Sequence, residues 1–213
     1  MTDVYEQLAK LRLVPVVAID HVDDAVPLGE ALLAGGLPCA EITFRTDAAE
    51  GAIRALGGRD DILLGAGTVL SVDQVNRAHD AGARFIVAPG TNPKVVERCL
   101  ELNLPVFPGV ATPTDIELAR SFGLRTLKFF PAEALGGIEM LKAMSAPYRD
   151  VKFVPTGGIT PANLTAYLVL PSVVACGGSW MVKPQFLQAR QFDRITELCQ
   201  DAVQIAASAR KSD

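Results

Sequence analysis

The 213-residue sequence lacks the features of a nucleic-acid-binding, secreted or membrane protein. It has no block of basic residues: 20 lysines and arginines stand against 24 acidic residues, for a net charge of −4. Proteins that bind nucleic acid cluster basic residues against the phosphates, so a nucleic acid is not an expected partner. No apolar run reaches the roughly 20 residues that span a bilayer, and the acidic N-terminus lacks the apolar core of a signal peptide. We therefore expect a soluble, cytoplasmic protein without membrane contact.

Cysteine is scarce, and its spacing argues against disulfides and metal sites. Cys39, Cys99, Cys176 and Cys199 form neither a CxxC pair nor a group with histidine at metal-binding spacing, and each lies among apolar neighbours. We therefore expect buried free thiols and predict no metal and no cofactor. The chain also lacks a linker, a low-complexity segment and a charge run. Residues 1–213 are thus expected to form a single domain, for which 49% apolar residues supply a sizeable core.

What the sequence does contain is a regular alternation of short apolar runs and helical patterns. Turn residues separate eight apolar runs that predict strands. The runs cover residues 13–19, 39–44, 61–67, 84–89, 104–109, 125–130, 151–156 and 172–178. Helix starts are marked by a capping residue before proline at Asn92, Thr112 and Thr160, and by a capping box from Ser71 to Gln74. Apolar stripes predict a short helix before the first strand and a closing helix after the last.

Eight strand–helix units in one domain predict a (β/α)8 barrel of the α/β class, preceded by a short N-terminal helix. A doubly wound open sheet is the alternative, but the glycines do not form its GxGxxG pattern. In a barrel, outward side chains pack on helices, while inward side chains near the carboxyl ends of the strands line the substrate-binding mouth. Polar residues late in a strand therefore indicate where the chemistry lies.

The run LRTLKFFP places Lys128 between apolar residues of the sixth predicted strand. Alternation along the strand puts Leu127 and Phe129 on the outer face and Lys128 in the lumen, with Phe130 above it at the mouth. Because burying an unpaired charge is costly, Lys128 must be paired, neutral, extended towards water or functional. Glu133, which follows the strand, is interpreted as a solvated helix residue.

The second predicted strand supplies the partner of this lysine. In AEITFRT the alternate residues form an apolar outer set, which leaves Glu41, Thr43 and Arg45 facing the lumen. Removal from water favours the neutral amine of Lys128, and a neutral amine can attack a ketone to give an imine. Glu41 can then move protons as a carbon–carbon bond breaks or forms. Arg45 offers the planar N–H donors of its guanidinium to a substrate carboxylate. Thr68 offers a hydroxyl to the same group, and the glycines beside it would let a ligand approach the backbone. The alternative is a buried ion pair of Glu41 with Lys128 or Arg45 that merely fills the barrel.

Glycine pairs follow the last two predicted strands. Gly157 and Gly158 precede the helix start at Thr160, so free backbone N–H groups and the positive end of a helix face the mouth. Residues 177–179, Gly-Gly-Ser, follow the eighth strand. The loops after strands seven and eight are the usual phosphate site of barrels, so these pairs predict phosphate binding.

The motifs together resemble a known family. EITFRT, GAGTVL, LKFFPAE, PTGGI and GGSW, in this order and at these intervals, are similar to those of the 2-keto-3-deoxy-6-phosphogluconate (KDPG) aldolase family, also described as 4-hydroxy-2-oxoglutarate aldolase. The resemblance runs from about Val14 to beyond Trp180. It implies a class I aldolase on a (β/α)8 barrel, usually a homotrimer, that splits the phosphorylated keto-deoxy sugar acid into pyruvate and glyceraldehyde 3-phosphate in the Entner–Doudoroff pathway.

The resemblance also implies roles for individual residues. Lys128 would be the Schiff-base lysine and Glu41 the acid/base residue. The others would bind substrate: Arg45 and Thr68 the pyruvoyl carboxylate, Gly157, Gly158 and Ser179 the phosphate, with Pro89 and Phe130 as pocket walls.

Other functions fit parts of the sequence. The resemblance extends to cleavage of 4-hydroxy-2-oxoglutarate to pyruvate and glyoxylate. A phosphogalactonate-type aldolase would share the chemistry, although FRT and FFPAE favour the gluconate branch. A phosphosugar isomerase or epimerase would use the same barrel but would want two acid/base groups, of which only Glu41 is convincing. A non-catalytic phosphate-binding or scaffold protein would leave Lys128, Glu41 and Arg45 unexplained as a group.

Overall fold

The computed structural model describes residues 3–209, so the first two and last four positions of the predicted domain lie outside the described residues. Strands and helices alternate along the chain and the paired strands run parallel, so the fold is of the α/β class. The strands are β1 (Leu13–Val17), β2 (Cys39–Thr43), β3 (Leu63–Gly67), β4 (Phe85–Val87), β5 (Val106–Phe107), β6 (Gly109–Val110), β7 (Thr126–Phe129), β8 (Lys152–Pro155) and β9 (Cys176–Gly178). The α-helices are α1 (Val4–Leu11), α2 (Ala25–Ala34), α3 (Ala49–Leu56), α4 (Val72–Asp80), α5 (Pro93–Glu101), α6 (Pro113–Ser121), α7 (Gly137–Ser145), α8 (Pro161–Leu168), α9 (Pro184–Gln188) and α10 (Phe192–Ser208).

The parallel strands form a curled sheet in two hydrogen-bonded groups. One group has six strands in the order β5-β4-β3-β2-β1-β9, and the other has three in the order β6-β7-β8. Two isolated bridges, Phe153 with Val173 and Thr156 with Gly177, connect β8 and its end to the segment that forms β9. The carboxyl ends of the strands therefore meet on one side, as in the predicted barrel.

A proline divides the run predicted as the fifth strand. Val106–Phe107 forms β5 and Gly109–Val110 forms β6, with Pro108 between them. Proline has no N–H to donate to a neighbouring strand, so the ladder is interrupted there. The carbonyl of Pro108 still accepts from the N–H of Lys128 at 2.9 Å. The described residues therefore contain nine strands in place of the eight that were predicted.

The predicted helix starts are confirmed, with one difference. α5, α6 and α8 begin directly after their predicted capping residues. Ser71 accepts from the N–H of Gln74 at 3.2 Å and caps α4. The amide oxygen of Gln74, however, accepts from the N–H of Leu70 at 2.7 Å. Because this long side chain reaches one residue further back, only half of the predicted capping box forms.

Two apolar clusters lie on the two faces of the curled sheet. The larger lies between strands and helices and includes Ala40, Ile42, Leu127 and Phe129. The smaller lies inside the curl, where Leu8 of α1 packs on residues from the beginnings of several strands. The predicted N-terminal helix thus closes the amino end of the curl. The inside of its carboxyl end is left to polar side chains.

The four cysteines, all in the described part of the chain, are buried and free, which confirms the expectation of buried thiols. Burial raises the pKa of Cys99 and of Cys199 to about 12, so these thiols stay protonated at neutral pH. Within residues 3–209, no helix combines the length and apolarity needed to cross a membrane.

Candidate active site

A buried lysine and a buried glutamate face each other inside the curl. Lys128 in β7 donates from Nζ to Oε1 of Glu41 in β2 at 3.3 Å. The two residues are only 3% and 2% exposed, respectively. Leu127 and Phe129, which flank the lysine, are fully buried on the helix side. The alternation predicted from the sequence is therefore confirmed, and the lysine has its carboxylate partner.

Glycines on β3 make room for side chains inside the curl. Glu41 lies opposite Gly65 in the strand register. A Cβ on Gly67 would overlap the carboxyl group of Glu41, and a Cβ on Gly65 would overlap the ring of Phe85. The interpretation that these glycines let a ligand approach is therefore wrong, because side chains of the protein fill the space. Gly67 instead leaves room for the carboxylate that contacts Lys128, and Gly65 leaves room for the ring of Phe85.

Phe130 covers the lysine on the side of the mouth. Its ring centroid lies 5.2 Å from Nζ of Lys128, within the range of a cation–π contact. The ring is half-buried and borders the open cleft described below. The predicted position of Phe130 above Lys128 is confirmed.

Arg45 and Thr68 lie side by side at the ends of neighbouring strands. Nε of Arg45 donates to Oγ1 of Thr68 at 3.3 Å, and Arg45 is exposed. Thr68 has a φ of 56°, the left-handed region that side chains rarely adopt, and this conformation ends β3. The ion-pair partner of Glu41 is thus Lys128, and Arg45 presents its guanidinium to the cleft.

A cleft of about 240 Å³ extends from Arg45 and Phe130 to the loops after β8 and β9. Its lining comprises Val16, Arg45, Phe130, Thr156, Gly157, Gly158, Ile159, Gly177, Gly178 and Ser179. Lys128 and Glu41 line a much smaller cavity of about 10 Å³ that shares Thr156 with the cleft. Thr68 and Pro89, both within the described residues, line neither of these two spaces. Pro89 follows β4 with its carbonyl against Gly109, so its role as a pocket wall stays a prediction.

Thr156 is a candidate site residue that the sequence analysis missed. It is 6% exposed, and its hydroxyl makes only a long contact of 3.4 Å to the carbonyl of Val154. Val154 lies opposite Lys128 in the register, so the alternation that turns the lysine inward also turns Thr156 inward. Applying that alternation to VKFVPT would have found it.

The loop after β8 has a backbone that glycine adopts readily. Gly157 and Gly158 have φ values of 98° and 82°. The carbonyl of Gly158 accepts from Nδ2 of Asn163 at 3.1 Å, and Oδ1 of Asn163 accepts from the N–H of Thr160 at 2.8 Å. The loop is thereby fastened to the first turn of α8. Ser179 borders the cleft from the loop after β9.

Glu133 is an exposed helix residue, as interpreted from the sequence, but it also has a partner that the sequence did not predict. Although it is largely exposed, its carboxylate accepts from the hydroxyl of Tyr167, which is fully buried in α8. The two residues are 34 positions apart, and no local pattern connects them. The sequence therefore gave no signal for this contact.

Fold and site together define a class of enzyme. Forming an imine with a keto acid requires a lysine removed from water, a proton-transfer group within reach and an opening for the substrate. Lys128, Glu41 and the cleft meet these requirements at the carboxyl ends of parallel strands, where barrel enzymes bind substrate. This combination is typical of class I aldolases.

The chain belongs to the aldolase family described as KDPG and KHG aldolase, which it matches over residues 4–198. It is 50% identical over 206 residues to the 2-dehydro-3-deoxy-phosphogluconate aldolase of Treponema pallidum, covering 96% of this chain and 98% of that protein. A solved structure of KDPG aldolase from Legionella pneumophila contains pyruvate captured at low pH as a covalent carbinolamine intermediate. This chain is 41% identical to it, with a TM-score of 0.90, and the match covers 95% of this chain and 98% of that one. The corresponding aldolase of Zymomonas mobilis ZM4 with 3-phosphoglycerate has a TM-score of 0.88 at 37% identity, covering 98% and 97%. The protein is therefore an aldolase, a carbon–carbon lyase.

Proposed function

We propose that the protein is a class I aldolase that cleaves KDPG into pyruvate and glyceraldehyde 3-phosphate through an imine on Lys128. The observation that carries the proposal is the buried contact of 3.3 Å between Lys128 and Glu41. The carbinolamine captured in the Legionella pneumophila protein supports it, because a carbinolamine is the adduct that precedes an imine. The 3-phosphoglycerate in the Zymomonas mobilis structure supports a phosphorylated substrate.

The reaction begins with proton transfer within the buried pair. Glu41 takes a proton from the ammonium group of Lys128, and the neutral amine adds to the C2 carbonyl carbon of the substrate. Glu41 returns the proton to the carbinolamine hydroxyl, which leaves as water and gives a protonated imine. The imine carries a positive charge and withdraws electrons from the bond between C3 and C4.

Bond cleavage uses the same carboxylate a second time. Glu41 removes the proton of the C4 hydroxyl, the C3–C4 bond breaks and glyceraldehyde 3-phosphate leaves, while the electron pair forms an enamine on Lys128. Glu41 then protonates C3 of the enamine. Addition of water hydrolyses the resulting imine, which releases pyruvate and restores the lysine.

The two ends of the substrate are held by different groups. Arg45 and the neighbouring Thr68 bind the pyruvoyl carboxylate, for which a guanidinium offers two parallel N–H donors. Gly157, Gly158 and Ser179 bind the distal phosphate, for which the glycine loop offers backbone N–H groups and the start of α8 a positive dipole end.

Cleavage of 4-hydroxy-2-oxoglutarate to pyruvate and glyoxylate is a second candidate activity. The groups assigned to the pyruvoyl half belong to other segments than the glycine loops and do not depend on a phosphate. An isomerase or epimerase is less well supported, because Glu41 is the single carboxylate among the described residues that line the cavity and the cleft.

The architecture around this site is part of the same proposal. We infer that the single domain closes into a (β/α)8 barrel in which β5 and β6 act as one strand across Pro108. The bridge between Thr156 and Gly177 supports closure between β8 and β9. A homotrimer and a cytoplasmic location, both expected from the sequence, stay predictions.

Reductive trapping tests the proposal directly. Incubation with pyruvate and borohydride should add a stable mass to Lys128, and peptide mapping should find it there. Lys142 and Lys152 serve as internal controls, because Lys142 pairs with Glu139 at the surface and Lys152 is exposed. An adduct on either of these, or no adduct in the native protein, would refute the assignment of Lys128.

A further inference from the structure

A tyrosine–glutamate contact joins the segment after the lysine strand to the helix behind the glycine loop. Glu133 opens a short 3-10 helix, Glu133–Leu135, just beyond β7. Tyr167 lies near the end of α8, is fully buried, and donates its hydroxyl to Oε1 of Glu133. The first turn of α8 holds Gly158 through Asn163. The contact therefore links the strand of the reacting lysine to the loop assigned to the phosphate.

Glu133 also touches the glycine loop directly. Its backbone N–H donates to the carbonyl of Gly157 at 3.1 Å. Its side-chain stem packs on Gly158 so closely that a Cβ there would lie 2.5 Å from Cγ and 2.6 Å from Cβ of Glu133. The side chain of Glu133 therefore packs directly against Gly158, so a change in its conformation would change the contacts of the loop.

The direction of the carboxylate is relevant to an anionic ligand. A phosphate carries close to two negative charges at neutral pH and is repelled by a nearby carboxylate. Oε1 of Glu133 lies beside the first residue of α7, where a Cβ on Gly137 would be 2.9 Å away, and the positive end of a helix stabilises negative charge there. Burial and the charge of Glu133 raise the pKa of Tyr167, so its hydroxyl remains a donor at neutral pH.

We propose that Tyr167 and Glu133 are positioning residues for the phosphate end of the substrate. The hydroxyl of Tyr167 keeps the Glu133 carboxylate turned towards the start of α7, and this fixes the side-chain stem under Gly158. The backbone N–H groups of the glycine loop then stay aimed at the phosphate, and no carboxylate turns into the cleft. This inference rests on the proposed function.

The variant Tyr167→Phe removes the hydroxyl and keeps the buried ring. We expect its KM for KDPG to rise about tenfold, near the lower limit of what a hydrogen bond to a charged group contributes, because the hydroxyl acts on the phosphate only through Glu133. Exchange of the pyruvate methyl protons with solvent, which needs the imine but no phosphate, should change less than about twofold. This split between the two readouts would not arise from a general loosening of the fold.

Two further comparisons separate positioning from stability. Tyr148→Phe is a matched control, because the Tyr148 hydroxyl donates to Glu117 at 3.0 Å just before β8, at the opposite end of the strands. It should leave KM and proton exchange unchanged, whatever it does to the melting temperature. Glu133→Gln keeps an acceptor for Tyr167 and should stay within about threefold of the wild-type KM, whereas Glu133→Ala should match Tyr167→Phe.

The outcomes distinguish this inference from the proposed function. If the wild-type protein neither exchanges pyruvate protons nor cleaves KDPG, the proposed function fails. If the wild-type protein is active and Tyr167→Phe leaves KM for KDPG unchanged, or weakens proton exchange as much as KDPG cleavage, the positioning role is wrong. A Glu133→Ala variant with the wild-type KM would overturn it as well.

Discussion

The buried lysine and glutamate are better suited to proton transfer than to stabilising the fold. Two opposite charges taken out of water gain little net stability, because desolvation offsets their attraction. Removing one partner leaves the other uncompensated, at a cost of about 3–5 kcal/mol. Transfer of a proton from Lys128 to Glu41, whose side chains are no more than 4% exposed, replaces two buried charges with two neutral groups and leaves neither charge without its partner. That is the first step of imine formation.

The variant Glu41→Gln should therefore slow every proton transfer, including the two within imine formation, without abolishing the imine. An amide retains the shape of the carboxylate but cannot accept a proton, and general acid/base groups typically contribute about 10²–10⁴-fold. Trapping of pyruvate should survive on long incubation, because borohydride reduces each imine irreversibly even when it forms slowly, while exchange of the pyruvate methyl protons should fall by about that factor. Glu139→Gln, which alters a surface partner of Lys142, is the control and should exchange at the wild-type rate. Wild-type exchange in Glu41→Gln would mean that another group moves the proton.

At the scale of elements, local patterns predicted most of the strands and helix starts. Strand alternation turned Lys128 inward, and the capping residue Thr160 marked the start of α8. Pro108 divided a strand because proline has no N–H for the hydrogen-bond ladder, a local signal that the apolar pattern alone does not register. The Tyr167–Glu133 contact and the filling of the space at Gly67 were missed for a different reason, since both depend on distant segments.

The loops after β8 and β9 are best tested through Ser179. A side chain at Gly158 would strike Glu133 as well as any ligand, so a glycine variant would mix two effects. Ser179→Ala removes only a hydroxyl at the cleft and should raise KM for KDPG by about one to two decades, the loss expected for a hydrogen bond to a charged acceptor. Cleavage of 4-hydroxy-2-oxoglutarate, which has no phosphate, depends only on the groups that handle the pyruvoyl half and should be unchanged. An equal loss on both substrates would show that Ser179 shapes the loop and does not bind phosphate.

At the scale of the whole molecule, one arginine fastens the two ends of the described chain to each other. Arg12 follows α1, and its Nη1 donates to the carbonyls of Ala206 and Ala209 at 2.6 Å each, at the end of α10. Its Nη2 donates to the carbonyl of Leu168 at 2.9 Å, at the end of α8. The last carbonyls of a helix have no partner within it, and a cation there is also favoured by the helix dipole. A single side chain thus completes two helix ends and joins them to the first strand.

Replacing Arg12 should therefore destabilise the protein far more than replacing an ordinary surface arginine. Hydrogen bonds to a charged group contribute about 1.5–3 kcal/mol each, and even partial loss of the three in Arg12→Met should lower the free energy of unfolding by about 3 kcal/mol. For a chain of this size, that corresponds to a fall in Tm of roughly 6–12 °C.

Arg194→Met is the control, because Arg194 and its partner Glu197 have side chains 51% and 60% exposed and an exposed pair contributes about 0–1 kcal/mol. Both are compared by thermal unfolding at one fixed protein concentration, since any self-association makes Tm depend on concentration. A fall in Tm for Arg12→Met no larger than that for Arg194→Met would show that the helix ends find other partners and that Arg12 does not hold the chain ends together.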